Sequence, residues 1–198
     1  MSGLDIFKHK QDPDYYYGVY HTTDLKISNF VIYLARSQNG LDDWETVTVL
    51  QASGSHAKVW VSPNTNDILM AYESSPGFDG NNIAIKHYKN LESMKQQQTI
   101  DELYLDRTLS QIYEGTPSFD TVEFRGKLLT SKLTLRFHYF EDSLVDQQAI
   151  GVYDGTNHGY KSLKNREVDQ KLLWTTQIDR DLNKRLSDLG FKGSLGSR

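Results

Sequence analysis

The chain has 198 residues, a net charge of −4 and no cysteine. This length suits one sizeable domain, and the interspersed charges indicate neither a nucleic-acid footprint nor a membrane-binding patch. The lack of cysteine excludes disulfide bonds, thiolate metal sites and cysteine nucleophiles. No segment approaches the roughly 20 consecutive apolar residues of a membrane-spanning helix. We therefore expect neither nucleic acid nor membrane as a partner.

Short runs rich in β-branched and aromatic residues follow one another along the chain, with Gly-, Asn- and Ser-rich turn clusters between them. Parallel βαβ units would need a helical pattern after every strand, and the sequence shows none. The sequence therefore predicts an all-β fold built from antiparallel hairpins. The predicted strands cover residues 15–22, 29–37, 45–51, 57–63, 67–73, 81–88, 118–124, 127–140 (one or two strands) and 147–155.

Two segments depart from this pattern. Residues 90–109 are polar and fit either a helical turn or an irregular connection. Near the end of the chain, Asp179 can cap a helix, Leu182, Leu186 and Leu189 share one helical face, and Gly190 can end it. A short helix near the C-terminus is predicted there.

Three segments share one pattern, an apolar alternating strand followed by a polar turn and a bulky residue. They are VIYLARSQNGLDDW (31–44), NIAIKHYKNLESM (82–94) and AIGVYDGTNHGYKSL (149–163). Repeats of about four strands are typical of β-propeller blades, which bury their faces only against neighbouring blades. A β-sandwich is the alternative. Because a closed propeller needs at least four blades and this chain supplies a little over three, residues 1–198 are expected to form a single but incomplete propeller domain.

Three motifs carry a resemblance to a known family. The segments VIYLARSQNGLDDW (31–44), GSHAKVWVSPNTNDILMAYE (54–73) and YEGTPSF (113–119) resemble blade elements of the five-bladed propeller glycoside hydrolases of family 43. The resemblance implies cleavage of glycosidic bonds in a polysaccharide or oligosaccharide by general acid–base catalysis, with no cofactor. It also implies an extracellular or periplasmic location, although the chain begins with no apolar run typical of a signal peptide.

Glu114 in YEGTPSF matches the general acid of that family. A glycoside leaving group needs a proton, and a carboxylic acid can hold one near neutral pH when burial raises its pKa. The alternative is that Glu114 only caps a strand or accepts hydrogen bonds in a turn. Thr116, inserted between Gly115 and Pro117, departs from the family spacing.

The partner carboxylate is less well marked. The family places its base in an Asp-Pro element of the first blade, for which residues 9–23 offer Asp12 and Asp14. Asp-Pro is also a common start of a turn. Ala57 or Lys58 stands where the family has another acid. A non-catalytic carbohydrate-binding propeller and a structural or protein-binding propeller therefore remain alternatives.

His56, Trp60, Tyr15 and Arg198 are the candidate carbohydrate contacts. His56 precedes a predicted inner strand, and aromatic rings can stack on sugars, although a turn histidine and aromatic packing between blades are the simpler interpretations. No pair of histidines or carboxylates has the spacing of a zinc or calcium site, so no metal is predicted.

Overall fold

The computed structural model describes residues 2–24, 29–75, 80–140, 146–155 and 174–175. These residues form three four-stranded antiparallel sheets, in each of which the strands follow one another in chain order. Blade 1 contains β1 (Ser2–Lys8), β2 (Tyr16–Asp24), β3 (Asn29–Ser37) and β4 (Glu45–Gln51). Blade 2 contains β5 (Gly54–Val61), β6 (Ile68–Ser74), β7 (Asn82–Tyr88) and β8 (Thr99–Tyr104). Blade 3 contains β9 (Glu114–Glu123), β10 (Lys132–Phe140), β11 (Asp146–Asp154) and β12 (Trp174–Thr175).

The predicted all-β propeller fold is confirmed for three blades. The strands predicted at 29–37 and 45–51 have the same bounds as β3 and β4, and the three repeated segments begin within or at the start of the third strand of each blade. The segment 127–140 divides into a 3₁₀ turn (Leu128–Thr130) and β10. The helix predicted near Asp179 and the candidate contact Arg198 lie outside the described residues.

The region 90–109, left open by its sequence, contains a short helix, α1 (Leu91–Lys95), and strand β8. Asn90 caps α1 by accepting a hydrogen bond from the Ser93 N–H at 2.8 Å, and Leu91 and Met94 are buried. The cap satisfies a donor that a helix start leaves unpaired. Over the ranges that the structure describes, no helix combines the length and apolar character needed to cross a membrane.

Strand β6 shows why these sheets need one another. All seven of its residues are buried, because blades cover both of its faces. Ile68, Met70 and Tyr72 belong to the core between blades 1 and 2, whereas Leu69 and Ala71 belong to the core between blades 2 and 3. Such a strand carries apolar residues on both faces rather than on alternate positions, since successive side chains point to opposite faces.

The first strands of the three blades lie next to each other. They run in the same direction, because their early residues face one another and so do their later residues. On β1, Asp5 pairs with Lys58 Nζ of β5 at 3.1 Å and accepts the Val59 N–H at 2.8 Å. At the far end of β5, the Trp60 ring lies 5.9 Å from the Phe124 ring, just past the end of β9. We call the end at which β1, β5 and β9 begin the upper end of the blades, and the opposite end the lower end.

A buried ion cluster links blade 2 to blade 3 at the lower end. The fully buried His87 bonds Asp67 through Nε2 at 2.8 Å and Asp101 through Nδ1 at 3.0 Å, and Asp101 also accepts the Leu128 N–H. Burial alone would lower the pKa of His87, but the two carboxylates outweigh it and raise that pKa above the ordinary histidine value. His87 is therefore held as an imidazolium between two carboxylates.

This cluster makes the stability depend on pH. A group with a raised folded-state pKa contributes stability that is fully present below its unfolded pKa and lost as the pH rises through the folded value. Besides the two aspartates, Lys89 at 3.4 Å from Asp67 and the Phe124 ring face the cluster. We expect the free energy of unfolding, measured with urea, to fall between pH 6 and pH 9.

The variant His87→Gln isolates this contribution. It should cost on the order of 3 kcal/mol at pH 6, because it leaves buried carboxylates without their cation, and its stability should decline less between pH 6 and pH 9. Parallel curves for His87→Gln and the parent protein would show that His87 is not charged in the folded state.

Candidate functional site

The upper end of the blades carries a buried carboxylate, that of Glu73, next to the last residue of β6. Its exposure is 5%. Asn81 donates to Oε1 at 2.7 Å, and the Tyr113 hydroxyl and the Thr116 N–H donate to Oε2 at 2.8 and 3.1 Å. Donors from blade 2 and from the start of blade 3 therefore hold both oxygens.

These donors keep Glu73 ionised. Burial alone would raise the pKa of Glu73, but the neighbouring His56, the Tyr113 hydroxyl and the Thr116 N–H outweigh burial and lower that pKa below its ordinary value. Hydrogen bonds to a carboxylate favour its charged form. The upper end therefore holds a negative charge at neutral pH.

His56, at the start of β5, lies beside this carboxylate. Its Nδ1 lies 3.5 Å from Glu73 Oε2 and 3.0 Å from Ser55 Oγ. The ring of His21, from blade 1, packs against it with centroids 4.6 Å apart. Burial, with His56 nearby, lowers the pKa of His21. Glu73, His56 and His21 thus form a cluster at the upper end, in which the His21 imidazole is neutral and the His56 imidazole contacts the carboxylate.

Gly115 is required by the close approach of β9 to Glu73. A Cβ atom at this position would lie 2.3 Å from Glu73 Oε2, a distance at which something must move. The next residue, Thr116, has φ of 49°, a left-handed conformation that is uncommon for a residue with a branched Cβ. The Gly-Thr pair of YEGTPSF thus bends β9 around the carboxylate.

Glu114 lies at the same end and is 2% exposed. Its Oε1 accepts the N–H groups of Thr108, Leu109 and Ser110 at 2.6, 2.5 and 3.2 Å, so it anchors the connection from blade 2 to blade 3. Burial raises the pKa of Glu114, an effect that the three N–H groups and Arg107 only partly offset. Burial thus moves Glu114 toward the neutral acid, in contrast to Glu73.

The two carboxyl groups belong to one connected set of atoms. The Glu114 N–H donates to the Asn81 carbonyl at 3.0 Å, and the Asn81 side chain holds Glu73. Because Glu73 Oε2 nearly touches the Cβ position of Gly115 and adjacent Cα atoms are 3.8 Å apart, the Glu114 Cα lies within about 8 Å of that oxygen.

The structure does not bring Asp12 or Asp14 to Glu114. Both lie in the turn between β1 and β2 at the lower end, where Asp12 accepts the Tyr17 hydroxyl at 2.6 Å. This turn packs on the β5–β6 turn, with His9 bonded to the Asn66 carbonyl. At about 3.3 Å per residue, the length of β1 separates the two ends by roughly 16 Å or more. The Asp-Pro element is here a turn.

Trp60 and Tyr15 also lie away from Glu73. Trp60, half-buried near the lower end of β5, packs on the core between blades 2 and 3. Tyr15 lies under the Arg36 guanidinium, 4.9 Å from its ring centre, in a surface depression of about 350 Å³. Of the described carbohydrate-contact candidates, His56 is therefore the one that joins the cluster at the upper end.

Glu73, Tyr113 and His21 are site residues that the sequence did not single out. Glu73 ends the segment DILMAYE and is the single charged residue of β6, in which the five residues before it are apolar or aromatic. A carboxylate on a strand buried on both faces must find donors, and this was the available signal. Among the described residues no group of three or more histidine, aspartate or glutamate side chains could hold a metal ion.

No protein-family model matches the sequence, and no curated protein does. Among solved structures, a thermostable family-43 glycoside hydrolase superposes with a TM-score of 0.54 and 12% identity, over 83% of this chain and 55% of that one. A fructofuranosidase from Schwanniomyces occidentalis complexed with fructose superposes with a TM-score of 0.46 and 16% identity, over 75% of this chain and 29% of that one. A xylan β-1,4-xylosidase from Bacillus halodurans C-125 superposes with a TM-score of 0.48 and 12% identity, over 83% of this chain and 30% of that one.

The resemblance of the sequence to propeller glycoside hydrolases of family 43 is thus confirmed at the level of the fold. The chain spans about half the length of the family-43 structure. At this identity the match concerns the backbone architecture, and the chemistry rests on the side chains.

The packing of Gly115 against Glu73 can be tested by Gly115→Ala. The added methyl group must displace a buried carboxylate with four neighbours, so we expect a loss of about 2 kcal/mol or more in urea unfolding, as for overpacked interiors. Gly126→Ala is the control, because φ is 83° there and nothing lies within 4 Å of the new methyl group. That control carries only the backbone cost, about 1 kcal/mol. Equal losses would show that Gly115 does not contact Glu73 closely.

Proposed function

We propose that this chain is part of a glycoside hydrolase, in which the upper end of the blades binds a carbohydrate and cleaves a glycosidic bond. The observation that carries the proposal is the pair Glu73 and Glu114. They lie at the same end of one propeller, and the pKa of the first is lowered while that of the second is raised. Two carboxyl groups whose environments separate their pKa values are suited to separate roles, one as a proton donor and the other as a fixed negative charge.

Glu114 takes the role of the proton donor. Its Oε1 already accepts three backbone N–H groups, so a proton on this carboxyl group resides on Oε2, the oxygen that can pass it to a leaving group. Glu114 is also the position that the motif YEGTPSF matches to the general acid of the family. The location of Glu114 at the start of the third blade agrees with that match.

Glu73 supplies the negative charge. Glycoside hydrolysis passes through a transition state in which the sugar ring carries positive charge. A carboxylate that stays ionised near the blade starts stabilises that charge without reorganisation during the reaction. This role replaces the one expected for Asp12 or Asp14, which lie at the lower end.

A non-catalytic carbohydrate-binding propeller is the second candidate, and one observation favours it. Glu114 is only 2% exposed, and its contacts anchor a connection between blades. In that case Glu114 stabilises the loop, and the polar groups around His56 bind sugar hydroxyls without cleaving the glycosidic bond.

The test is the release of reducing sugar by the chain from arabinan, xylan, galactan and fructan, with three variants in parallel. Glu114→Gln and Glu73→Gln should each lower release by about 100-fold or more, the scale expected for loss of an acid or a charge at the reacting centre. Glu123→Gln is the matched control, because Glu123 lies on the same strand at its lower end and its side chain is 61% exposed. It should match the parent protein.

Thermal unfolding of each variant separates a loss of chemistry from a loss of fold, and Glu114→Asp, which keeps a carboxyl group, offers a second variant if Glu114→Gln unfolds. Full activity in folded Glu114→Gln would contradict the role of Glu114. No release from any substrate, together with saturable glycan binding that survives Glu114→Gln, would establish the non-catalytic candidate instead.

A further inference from the structure

The backbone of His56 has an unusual conformation at the start of β5. Its φ is 47°, in the left-handed region that a residue with a side chain adopts at a cost. The His56 N–H donates to His21 Nδ1 at 3.1 Å, and the two rings pack together. A histidine of blade 1 thus fixes the conformation that directs the His56 ring toward Glu73.

The contacts of His56 favour one position for the hydrogen on its ring. Glu73 Oε2 and Ser55 Oγ both lie on the Nδ1 side, at 3.5 and 3.0 Å. An ionised carboxylate only accepts hydrogen bonds, so the tautomer that suits Glu73 has its hydrogen on Nδ1 and its lone pair on Nε2, whereas the Ser55 hydroxyl, which can donate or accept, fits either tautomer. The side chain of His56 is 40% exposed, whereas His21 and His87 are 3% and 0% exposed.

Glu73 itself is poorly placed to exchange a proton with a substrate or with water. Its side chain is 7% exposed, Asn81 occupies Oε1, and Tyr113 and Thr116 occupy Oε2. Its negative charge can act on the solvent-facing part of the site through the neighbouring imidazole. A buried carboxylate behind an imidazole holds the ring in one tautomer and stabilises its protonated form.

We propose that His56 is the proton-transfer residue of this site and that Glu73 is its positioning residue. The proposal rests on the proposed function. In the step, His56 Nε2 takes a proton from water as the water oxygen bonds to the anomeric carbon. The glycosidic C–O bond breaks, its electron pair goes to the leaving oxygen, and that oxygen takes the proton of Glu114. Solvent then removes the proton from His56 and returns one to Glu114.

The first test needs no substrate. Long-range ¹H–¹⁵N NMR spectra of the whole chain at alkaline pH report the tautomer of each histidine. We expect His56 to carry its hydrogen on Nδ1, and we expect Nε2 to show the ¹⁵N chemical shift of an unprotonated nitrogen. If the hydrogen is on Nε2 and Nδ1 carries none, the proposal is overturned, because the lone pair is then on the nitrogen that faces Glu73.

The second test removes the imidazole. His56→Asn is the suitable variant, because asparagine tolerates left-handed backbone and its side-chain amide can still donate to Glu73. On the substrate found active above, kcat should fall about 100- to 10,000-fold with KM changed by no more than a few fold. Sodium azide, a nucleophile that needs no deprotonation, should restore turnover and yield a glycosyl azide. Asp43→Asn, at another left-handed position (φ 50°), is the control.

The outcomes separate the two proposals. An active parent protein with an equally active His56→Asn overturns the role of His56 and leaves the hydrolase function standing. An inactive His56→Asn that azide does not rescue also overturns the proton-transfer role. A parent protein inactive on every substrate overturns the hydrolase function, and the role of His56 with it.

Discussion

The burial of one carboxylate, that of Glu73, is the constraint on which the upper end of this propeller depends. A charge removed from water must be matched by donors, or the fold loses several kcal/mol. Here the donors come from separate parts of the chain: Asn81 in blade 2, Tyr113 in the connection, and Thr116 in blade 3. His56, which His21 of blade 1 holds in place, completes the set. One charge thereby fixes how the starts of three blades meet.

The sequence predicted the middle strands of each blade and the outer strand β4, but not the flanking strands β1 and β8, and burial explains the difference. Strands such as β3 and β6 pack against neighbouring blades and contain long apolar runs. In β1 no residue is fully buried, because this strand is at the edge of its sheet and is hydrogen-bonded only to β2. Strand β8, an outer strand, is similarly half-exposed. Hydrophobic patterning has little to detect in either.

The candidate site was predictable in part, for reasons that differ from residue to residue. Glu114 and His56 stand at the starts of inner strands, and motif resemblance located both. Glu73 lies near the end of β6, the second strand of blade 2. That position becomes part of the site only because antiparallel pairing places it opposite Ser55. Asp12 lies at the other end of the blades, and its sequence could not indicate this, since an Asp-Pro pair has the same local sequence whether it starts a blade or turns between two strands.

The different behaviour of the two glutamates shows that burial alone does not determine ionisation. Glu73 and Glu114 are almost equally buried, and each accepts at least three hydrogen bonds. The donors of Glu114 are backbone amides on a single oxygen, whereas those of Glu73 cover both oxygens and include a neighbouring imidazole. An imidazole can itself take up a proton and so balance the charge of the carboxylate, which an amide cannot do. The contrast therefore follows from the chemistry of the donors.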